Sequence, residues 1–198
     1  MMKILHFSDT HSKHGLLQGL PSADIIIHSG DLSFAGSEEE IIDFIEWFTS
    51  LPYKYKIFIA GNQDDCLFGA NIEGLDDNCF YLCNSGITLN GVAFYGVPMF
   101  MEDILSGDYD KHIEEIPRNT DILITDQPPY KILDSSAEIN YGSHELLETV
   151  SRIQPKYHLF GHIHDVYGTK YSNRAIFVNA SILNENYEVL NKPVLLEI

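Results

Sequence analysis

Five short apolar runs, each followed at once by polar residues, constrain the fold of this chain more than any other feature. The runs occupy residues 3–7, 24–28, 55–60, 121–125 and 157–160. They are rich in isoleucine, leucine, phenylalanine and tyrosine, which is typical of strands buried on both faces of a parallel sheet. Helical patterns lie between some of these runs, so the sequence predicts a layered α/β domain.

The helical patterns are bounded by start and stop signals. Ser37 and Glu40 form a capping box ahead of apolar residues at helical spacing, which end before Pro52. A second amphipathic stretch covers 143–153, and a weaker third one lies near 103–116. Further strands are expected at 166–171, 175–179 and 193–198, and within 80–97. We therefore expect two central sheets with helices on their outer faces.

The length and the charge of the chain restrict its organisation and its partners. The 198 residues suit one domain, and no repeat or linker divides them, so we expect a single domain over residues 1–198. Acidic residues outnumber basic ones by 29 to 12, which gives a formal net charge of −17. A surface this negative repels long nucleic acids, but it accepts a small phosphorylated substrate where cations lie in the site. The oligomeric state is left open.

The sequence indicates neither a signal peptide nor a membrane-spanning stretch. The N-terminal residues lack an apolar segment, and no later run approaches the roughly 18 apolar residues that a membrane span needs. The cysteines Cys66, Cys79 and Cys83 are odd in number and have no CxxC spacing. We therefore expect a cytoplasmic protein with no membrane partner and with buried, reduced structural thiols.

Polar side chains with metal-binding chemistry follow the five apolar runs. In an open α/β sheet, ligands gather beyond the carboxyl ends of the strands, so five strands in one sheet would bring these side chains together. A cluster of carboxylates and imidazoles is costly to bury unless divalent cations bind, and such donors suit Mn²⁺, Fe, Ni²⁺, Zn²⁺ or Co²⁺. The candidate ligands are Asp9, His11, Asp31, Asn62, Asp126, His162 and His164.

An alternative interpretation without a functional role is that these residues only form turns, as Asp and Asn often do after strands. That interpretation stays open for Asp126, which stands two residues before Pro128. His6, His28 and His158 lie inside apolar runs, and we expect hydrogen-bonded core groups there rather than ligands. Several aromatic residues near the predicted site either stack on a substrate base or pack in the core. They are Phe68, Tyr95, Phe100 and Tyr130.

The order of the polar motifs resembles that of the calcineurin-like metallophosphoesterases. These motifs are Asp9-x-His11, Gly30-Asp31, Gly61-Asn62 and Gly161-His162-x-His164. By its small size and its FGHIH stretch, the chain resembles the small class of that family, which includes cyclic-nucleotide phosphodiesterases. The resemblance implies a four-layer α-β-β-α sandwich with mixed sheets, and a hydrolase that acts on a small, cyclic nucleotide-like phosphodiester.

The resemblance also implies two divalent metal ions, with manganese favoured and Fe, Ni, Zn, Co or Mg as alternatives. Asp9, His11, Asp31 and His164 would hold the first ion. Asp31 would bridge to a second ion that is also held by Asn62, Asp126 and His162. A hydroxide between the ions would attack phosphorus, and the ions would stabilise the transition state. The catalytic residues implied are Asp31 and Asn62, together with position 63.

This sequence departs from the family pattern at two positions in the predicted site. Gln63 stands where the family has a histidine that protonates the leaving oxygen, and an amide cannot transfer that proton at neutral pH. Asp126 stands where a histidine ligand is usual, and a carboxylate suits Mn²⁺ or Mg²⁺ but is shorter. Three interpretations stay open. The substrate has a good leaving group, His14 supplies the proton, or the domain is a catalytically silent module that binds phosphate ligands or a protein.

Overall fold

The computed structural model describes residues 1–172 and 174–198. The helices are α1 (Glu38–Ser50), α2 (Met101–Ser106), α3 (Asp108–Glu114) and α4 (His144–Ile153). The strands are β1 (Lys3–Phe7), β2 (Ile25–Ser29), β3 (Tyr55–Ile59), β4 (Cys79–Tyr81), β5 (Ser85–Leu89), β6 (Val92–Val97), β7 (Ile122–Thr125), β8 (Ser135–Ser136), β9 (Ile139–Asn140), β10 (Tyr157–Phe160), β11 (Gly168–Tyr171), β12 (Ile176–Asn179) and β13 (Val194–Glu197).

These strands form two large mixed sheets and one small hairpin. The first sheet has the order β13-β1-β2-β3-β4, and the second has the order β11-β12-β10-β7-β6-β5. Inner pairs are parallel, while β13 pairs antiparallel with β1, and β5 and β11 are antiparallel edge strands of the second sheet. Strands β8 and β9 pair with each other alone. The predicted α/β architecture with mixed sheets is confirmed.

The two sheets pack face to face around an aliphatic core. Ile4, Ile25 and Ile57 of the first sheet belong to the same buried cluster as Ile124 and Leu159 of the second. All five side chains are fully buried, and burying each such side chain contributes roughly 1.5–3 kcal/mol. This packing places the carboxyl ends of the parallel strands of both sheets at one edge of the sandwich.

Helices cover the outer faces of both sheets. On the first sheet, Phe44 and Phe48 of α1 contact Phe58 at ring separations of 5.9 Å each. On the second sheet, Ile113 of α3 and Leu146 of α4 pack in one buried cluster. The layers therefore follow each other as helix, sheet, sheet and helix, as the family resemblance implied.

Several local expectations are confirmed and others are corrected. The capping box of α1 is present, with Glu40 N–H donating to Ser37 Oγ at 3.3 Å and Ser37 N–H donating to Glu40 Oε2 at 3.2 Å. The stretch near 103–116 is two helices rather than one, because Gly107 between them has a left-handed φ of 77°. The five apolar runs are divided between the two sheets, since β7 and β10 belong to the second sheet.

The cysteines differ from expectation in their burial. Cys79 is buried on β4, but Cys66 and Cys83 are exposed in connecting segments, so the prediction of three buried thiols is wrong for these two. The spacing of cysteines in a sequence does not report the exposure of their side chains. In this fold the cysteine on a strand is buried, and the two outside the strands are exposed. Within the described residues, no helix combines the length and the apolar character that crossing a membrane requires.

Candidate metal centre

The polar residues that follow five strands lie at one edge of the two-sheet sandwich. Asp9 and His11 follow β1, Asp31 follows β2, and Asn62 follows β3. Asp126 follows β7, and His162 and His164 follow β10. The two sets meet directly, because the His162 backbone N–H donates to the Asp9 carboxylate at 3.0 Å. The structure thus brings together all seven candidate ligands, although they come from two sheets.

Four of these residues have a left-handed backbone that non-glycine residues rarely adopt. The φ angles are 54° for Asp9, 41° for His11, 59° for Asp31 and 66° for His162. Each such conformation costs on the order of 1–3 kcal/mol, and it persists only where the surrounding structure imposes it. Backbone strain of this kind clusters at functional sites, and here it turns the four side chains towards one another.

A first group of donors consists of Asp9, His11 and His164. One ligand atom of each lies within 4.8 Å of the others, and His164 Nε2 lies 3.4 Å from Asp9 Oδ1. Carbonyl acceptors fix both rings, because His11 Nδ1 donates to Ser33 O and His164 Nδ1 donates to Asn184 O, each at 3.0 Å. Both Nε2 atoms are therefore left with lone pairs directed at the group, which is how imidazoles bind metals.

A second group consists of Asp31, Asp126 and His162, whose ligand atoms also lie within 4.8 Å of one another. Asp126 Oδ2 lies 3.3 Å from His162 Nδ1. Asp31 connects the two groups, because its Oδ2 lies 3.7 Å from His11 Nε2. The side-chain carbonyl of Asn62 is buried without a hydrogen-bond partner, and Asn62 lines the same cavity as Asp31.

The surroundings of the Asp126 carboxylate show whether this residue fits a metal ligand or only a turn residue. The side chain is fully buried, and neither oxygen accepts a hydrogen bond of normal geometry. An Asx turn would have one oxygen accepting a backbone N–H, so the turn interpretation lacks its defining contact. Burying an unpartnered carboxylate is expensive unless it is paired or coordinates a metal. These residues therefore fit a divalent cation.

The carboxyl groups influence one another strongly through this buried space. Burial, reinforced by the neighbouring carboxylates, raises the pKa of Asp31 and of Asp126 well above the usual range. For Asp9, burial also acts to raise the pKa, but the hydrogen bond and charge of His164 hold it below the usual range. Divalent cations would relieve the repulsion among the three carboxylates.

Two glycines allow the ligand loops to approach each other. A Cβ atom at Gly61 would lie 2.2 Å from Asp31 Oδ1, and one at Gly161 would lie 2.1 Å from Asp9 Oδ2. Any larger residue at either position would displace a ligand carboxylate. The glycines of the Gly61-Asn62 and Gly161-His162 pairs are thus explained by close packing against the carboxylates of Asp31 and Asp9 rather than by loop flexibility.

Asp64 holds the loops after β2 and β3 together. Its buried carboxylate accepts hydrogen bonds from Gly61 N at 2.8 Å, Leu32 N at 3.1 Å and Ser33 N at 2.9 Å, and from Ser33 Oγ at 2.6 Å. Gln63 N–H then donates to Asp31 Oδ1 at 3.0 Å. Asp64 is therefore an organising residue of the backbone, whatever side chain occupies position 63.

A cavity of about 360 Å³ opens beside both donor groups. Asn62 and Gln63 line one side of it. Other lining residues come from segments in which the sequence predicted no site residue, and Asp165 directly follows the Gly161-His162-x-His164 motif. These wall residues are Ser136, Tyr141, Asp165, Glu185 and Tyr187.

His14 does not lie with the other predicted catalytic residues. Its Nε2 lies 3.2 Å from Asp43 Oδ2, and its buried ring lies 4.9 Å from the Trp47 ring on α1. The described residues that line the cavity do not include it. His14 is close in sequence to the ligand loop, but the short helical turn 14–16 directs it towards α1, so it is not in place to protonate a leaving group.

Three of the remaining histidines belong to the core, whereas of the four aromatic candidates only Phe100 is buried and Phe68 is exposed. His6, His28 and His158 are fully buried, and each is hydrogen-bonded to a hydroxyl. The distances are 2.9 Å to Ser29 Oγ, 3.0 Å to Thr10 Oγ1 and 2.8 Å to Thr125 Oγ1, respectively. The expectation of core groups is confirmed. The described residues lining the cavity include none of Phe68, Tyr95, Phe100 and Tyr130.

Comparisons with known proteins agree with this geometry. The family model described as calcineurin-like phosphoesterase matches residues 2–166. A human protein named metallophosphoesterase domain-containing protein 1 is 36% identical, over 96% of this chain and 69% of its own. A UPF0046 protein of Caenorhabditis elegans is 32% identical, over 98% of this chain and 74% of its own. One solved crystal structure aligns with a TM-score of 0.67 at 15% identity, covering 99% of this chain and 98% of its own, which shows the fold alone.

Proposed function

This chain belongs to the calcineurin-like phosphoesterase family, and on that premise we propose that it is a metal-dependent phosphodiesterase. The favoured substrate is a small phosphodiester such as a cyclic nucleotide. The observation that carries the proposal is the pair of adjoining donor groups, in which the buried carboxylate of Asp126 accepts no hydrogen bond of its own.

The donor set fits two divalent ions. We propose that Asp9, His11 and His164 hold one, that Asp126, His162 and Asn62 hold the other, and that Asp31 is shared between them. When bound, such ions supply Lewis-acid charge to phosphate oxygens and activate a water molecule as the nucleophile. Replacing a histidine by Asp126 adds a negative charge and a hard oxygen donor, which favours Mn²⁺ over Zn²⁺.

The chain's own residues define the kind of ester that this site can cleave. Gln63 lines the cavity beside Asn62, where its amide can donate a hydrogen bond but no proton. Loss of a general acid typically slows such reactions by about 10²–10⁴-fold, and the loss is smallest when the leaving group is a stable anion. The proposal therefore includes attenuated activity on esters of ordinary alcohols and a preference for activated or strained diesters.

The charge of the cavity supports a small monoanionic substrate. Among residues 1–172 and 174–198, those lining the cavity include no lysine and no arginine, but they include the acidic side chains of Asp165 and Glu185. With neither lysine nor arginine among the described lining residues, a phosphodiester with its single charge is easier to accommodate than a polyphosphate or a nucleic acid.

Hydrolysis of bis-p-nitrophenyl phosphate tests this function, because its leaving group needs no general acid. Purified protein is stripped with a chelator, loaded with Mn²⁺ and assayed for p-nitrophenolate release. Metal-dependent turnover, abolished in an Asp9→Asn, His11→Ala double variant, is the expected result. No turnover in the Mn²⁺-loaded wild type would contradict the proposal. If that protein still bound inorganic phosphate, the result would favour a silent phosphate-binding module, which the missing proton donor at position 63 also suits.

A further inference from the structure

We propose that Tyr187 determines substrate specificity, as the wall on which an uncharged aromatic group of the substrate packs. This inference rests on the proposed phosphodiesterase activity and deepens it. It names the chemical class of the substituent that stays on phosphorus when the other ester bond is cleaved. Tyr187 stands far from every motif in the sequence, in a segment with no regular secondary structure.

The ring of Tyr187 packs against two residues of the first donor group and lines the cavity beside them. Its centroid is 5.0 Å from that of His11 and 5.3 Å from that of His164, with the rings inclined by 65° and 73°. Phe34 packs against it at 5.6 Å. Tyr187 nevertheless remains 37% exposed, and it lines the cavity. The ring thus shields both imidazoles and leaves apolar surface open to a substrate.

A tight turn holds Tyr187 in this position. Its backbone N–H donates to Asn184 O at 2.9 Å, and Lys13 Nζ donates to its carbonyl oxygen. The Asn184 side chain also accepts the Glu188 N–H at 2.9 Å. The φ of Tyr187 is 59°, a left-handed value that is costly for a bulky residue and marks a position imposed by its surroundings.

The same turn connects this wall to the metal centre. The Asn184 carbonyl that accepts the Tyr187 N–H also accepts the hydrogen bond from His164 Nδ1 at 3.0 Å. The position of the ring is therefore tied to the donor atoms and hence to the place where phosphorus would be held. Such a fixed, partly exposed ring binds a flat group with little loss of conformational entropy.

Charge restricts which group this wall accepts. Glu185, two residues from Tyr187, and Asp165 carry carboxylates on the cavity, while no lysine or arginine lines it in the described part of the chain. A second phosphate or a carboxylate on the substrate would meet these acids with no lysine or arginine among the described lining residues to pair with it. The favoured group is therefore aromatic and uncharged, such as a phenyl ring or a neutral base.

Two chromogenic diesters with the same leaving group test the proposal on the Mn²⁺-loaded protein. In phenyl p-nitrophenyl phosphate and methyl p-nitrophenyl phosphate, water adds to phosphorus and the P–O bond to p-nitrophenolate breaks. The products are phenyl phosphate or methyl phosphate, and the proton of the water goes to solvent. Both substrates carry one negative charge, so they differ chiefly in whether the retained group is aromatic.

The variant Tyr187→Asn removes the ring and keeps a residue that tolerates a left-handed φ. We expect the ratio of kcat/KM for the phenyl ester over the methyl ester to fall by about three- to tenfold, as loss of one aromatic contact would give. Tyr187→Phe should keep the wild-type ratio. Tyr171→Asn is the matched control, since Tyr171 is 75% exposed and does not line the cavity.

The ratio of the two kcat/KM values separates the possible outcomes. A change in metal occupancy would lower both values by the same factor and leave their ratio unchanged. An unchanged ratio in Tyr187→Asn, with both esters still cleaved, would overturn the role of Tyr187 and leave the phosphodiesterase proposal standing. An equal fall of the ratio in Tyr171→Asn would overturn it as well. Failure of the wild-type protein to cleave either ester would instead overturn the proposed function itself.

Discussion

Asp126 Oδ2 and His162 Nδ1 lie 3.3 Å apart at the ends of the neighbouring parallel strands β7 and β10. Neither oxygen of Asp126 accepts a hydrogen bond of normal geometry, although the side chain is fully buried. The two side chains have the spacing and chemistry of a pair that could bind one divalent cation, at a position where the family pattern has a histidine in place of Asp126.

The first prediction concerns metal content. Asp126→Ala should lower bound manganese by about one ion per chain, because the second donor group loses one of its three ionisable ligands. The measurement is elemental analysis after equilibrium dialysis against Mn²⁺. Asp110→Ala on the exposed face of α3 is the control and should bind as much manganese as the wild type. Unchanged occupancy in Asp126→Ala would show that Asp126 does not bind the metal.

The second prediction concerns the missing proton donor. Gln63→His places an imidazole on the cavity wall, where it can protonate a leaving oxygen. The rate on an alkyl phosphodiester should rise by about tenfold or more, while the rate on bis-p-nitrophenyl phosphate changes little. Gln63→Asn controls for altered packing. Equal effects on both substrates would contradict the assignment of a lost general acid.

The third prediction concerns Asp64. Asp64→Asn removes a charged acceptor from three backbone N–H groups, so the free energy of unfolding should fall by about 1–3 kcal/mol, measured in urea. Manganese affinity should fall too, because Asp64 joins the loops that carry Asp31 and Asn62.

A matched control for Asp64 exists in the same chain. Asp134 is also buried and accepts from Lys131 N at 2.9 Å, Gly142 N at 3.0 Å and Asn140 Nδ2 at 2.7 Å. Asp134→Asn should therefore destabilise the fold to a similar degree without weakening manganese binding. A parallel loss of metal affinity in both variants would indicate general destabilisation rather than a specific role of Asp64.

The sequence predicted which polar side chains converge better than it predicted their surroundings. Asp31 and His164 were recognisable because chemistry-bearing residues directly follow apolar strands, and strand ends converge in any layered α/β fold. The distribution of β7 and β10 into a second sheet was not predictable, because an apolar strand looks the same in either sheet. His14 was misjudged because a short turn decides where its side chain points, and no periodicity reports that direction.

The wall of the cavity escaped prediction for a different reason. Tyr187 and Glu185 lie in a segment without regular structure, more than twenty residues after His162. Tyr187 contacts His11, and the long-range hydrogen bond between His164 and Asn184 joins its segment to the site, which no local pattern reports. Residues that select a substrate commonly lie on such loops, whereas the rigid scaffold supplies the ligands.

The fourth prediction is a pH dependence of stability that comes from the buried histidines. Burial lowers the pKa of His158 to about 3, whereas an unfolded histidine titrates near 6.5. Between these values the unfolded chain binds a proton that the folded chain does not, so stability is full above about pH 6.5 and falls as the pH falls. The contribution is about 1.4 kcal/mol per pH unit for each such histidine.

Replacing His158 isolates this contribution. His158→Gln keeps a partner for Thr125 Oγ1 but cannot be protonated in the unfolded chain. Its free energy of unfolding, measured in urea with chelator from pH 7 to pH 5, should therefore decline less steeply than that of the wild type, by about 1.4 kcal/mol per pH unit below pH 6. His144→Gln is the control, because His144 is exposed and stacks on Tyr130. Parallel curves for His158→Gln and the wild type would mean that His158 is protonated inside the fold, which its single hydroxyl partner does not favour.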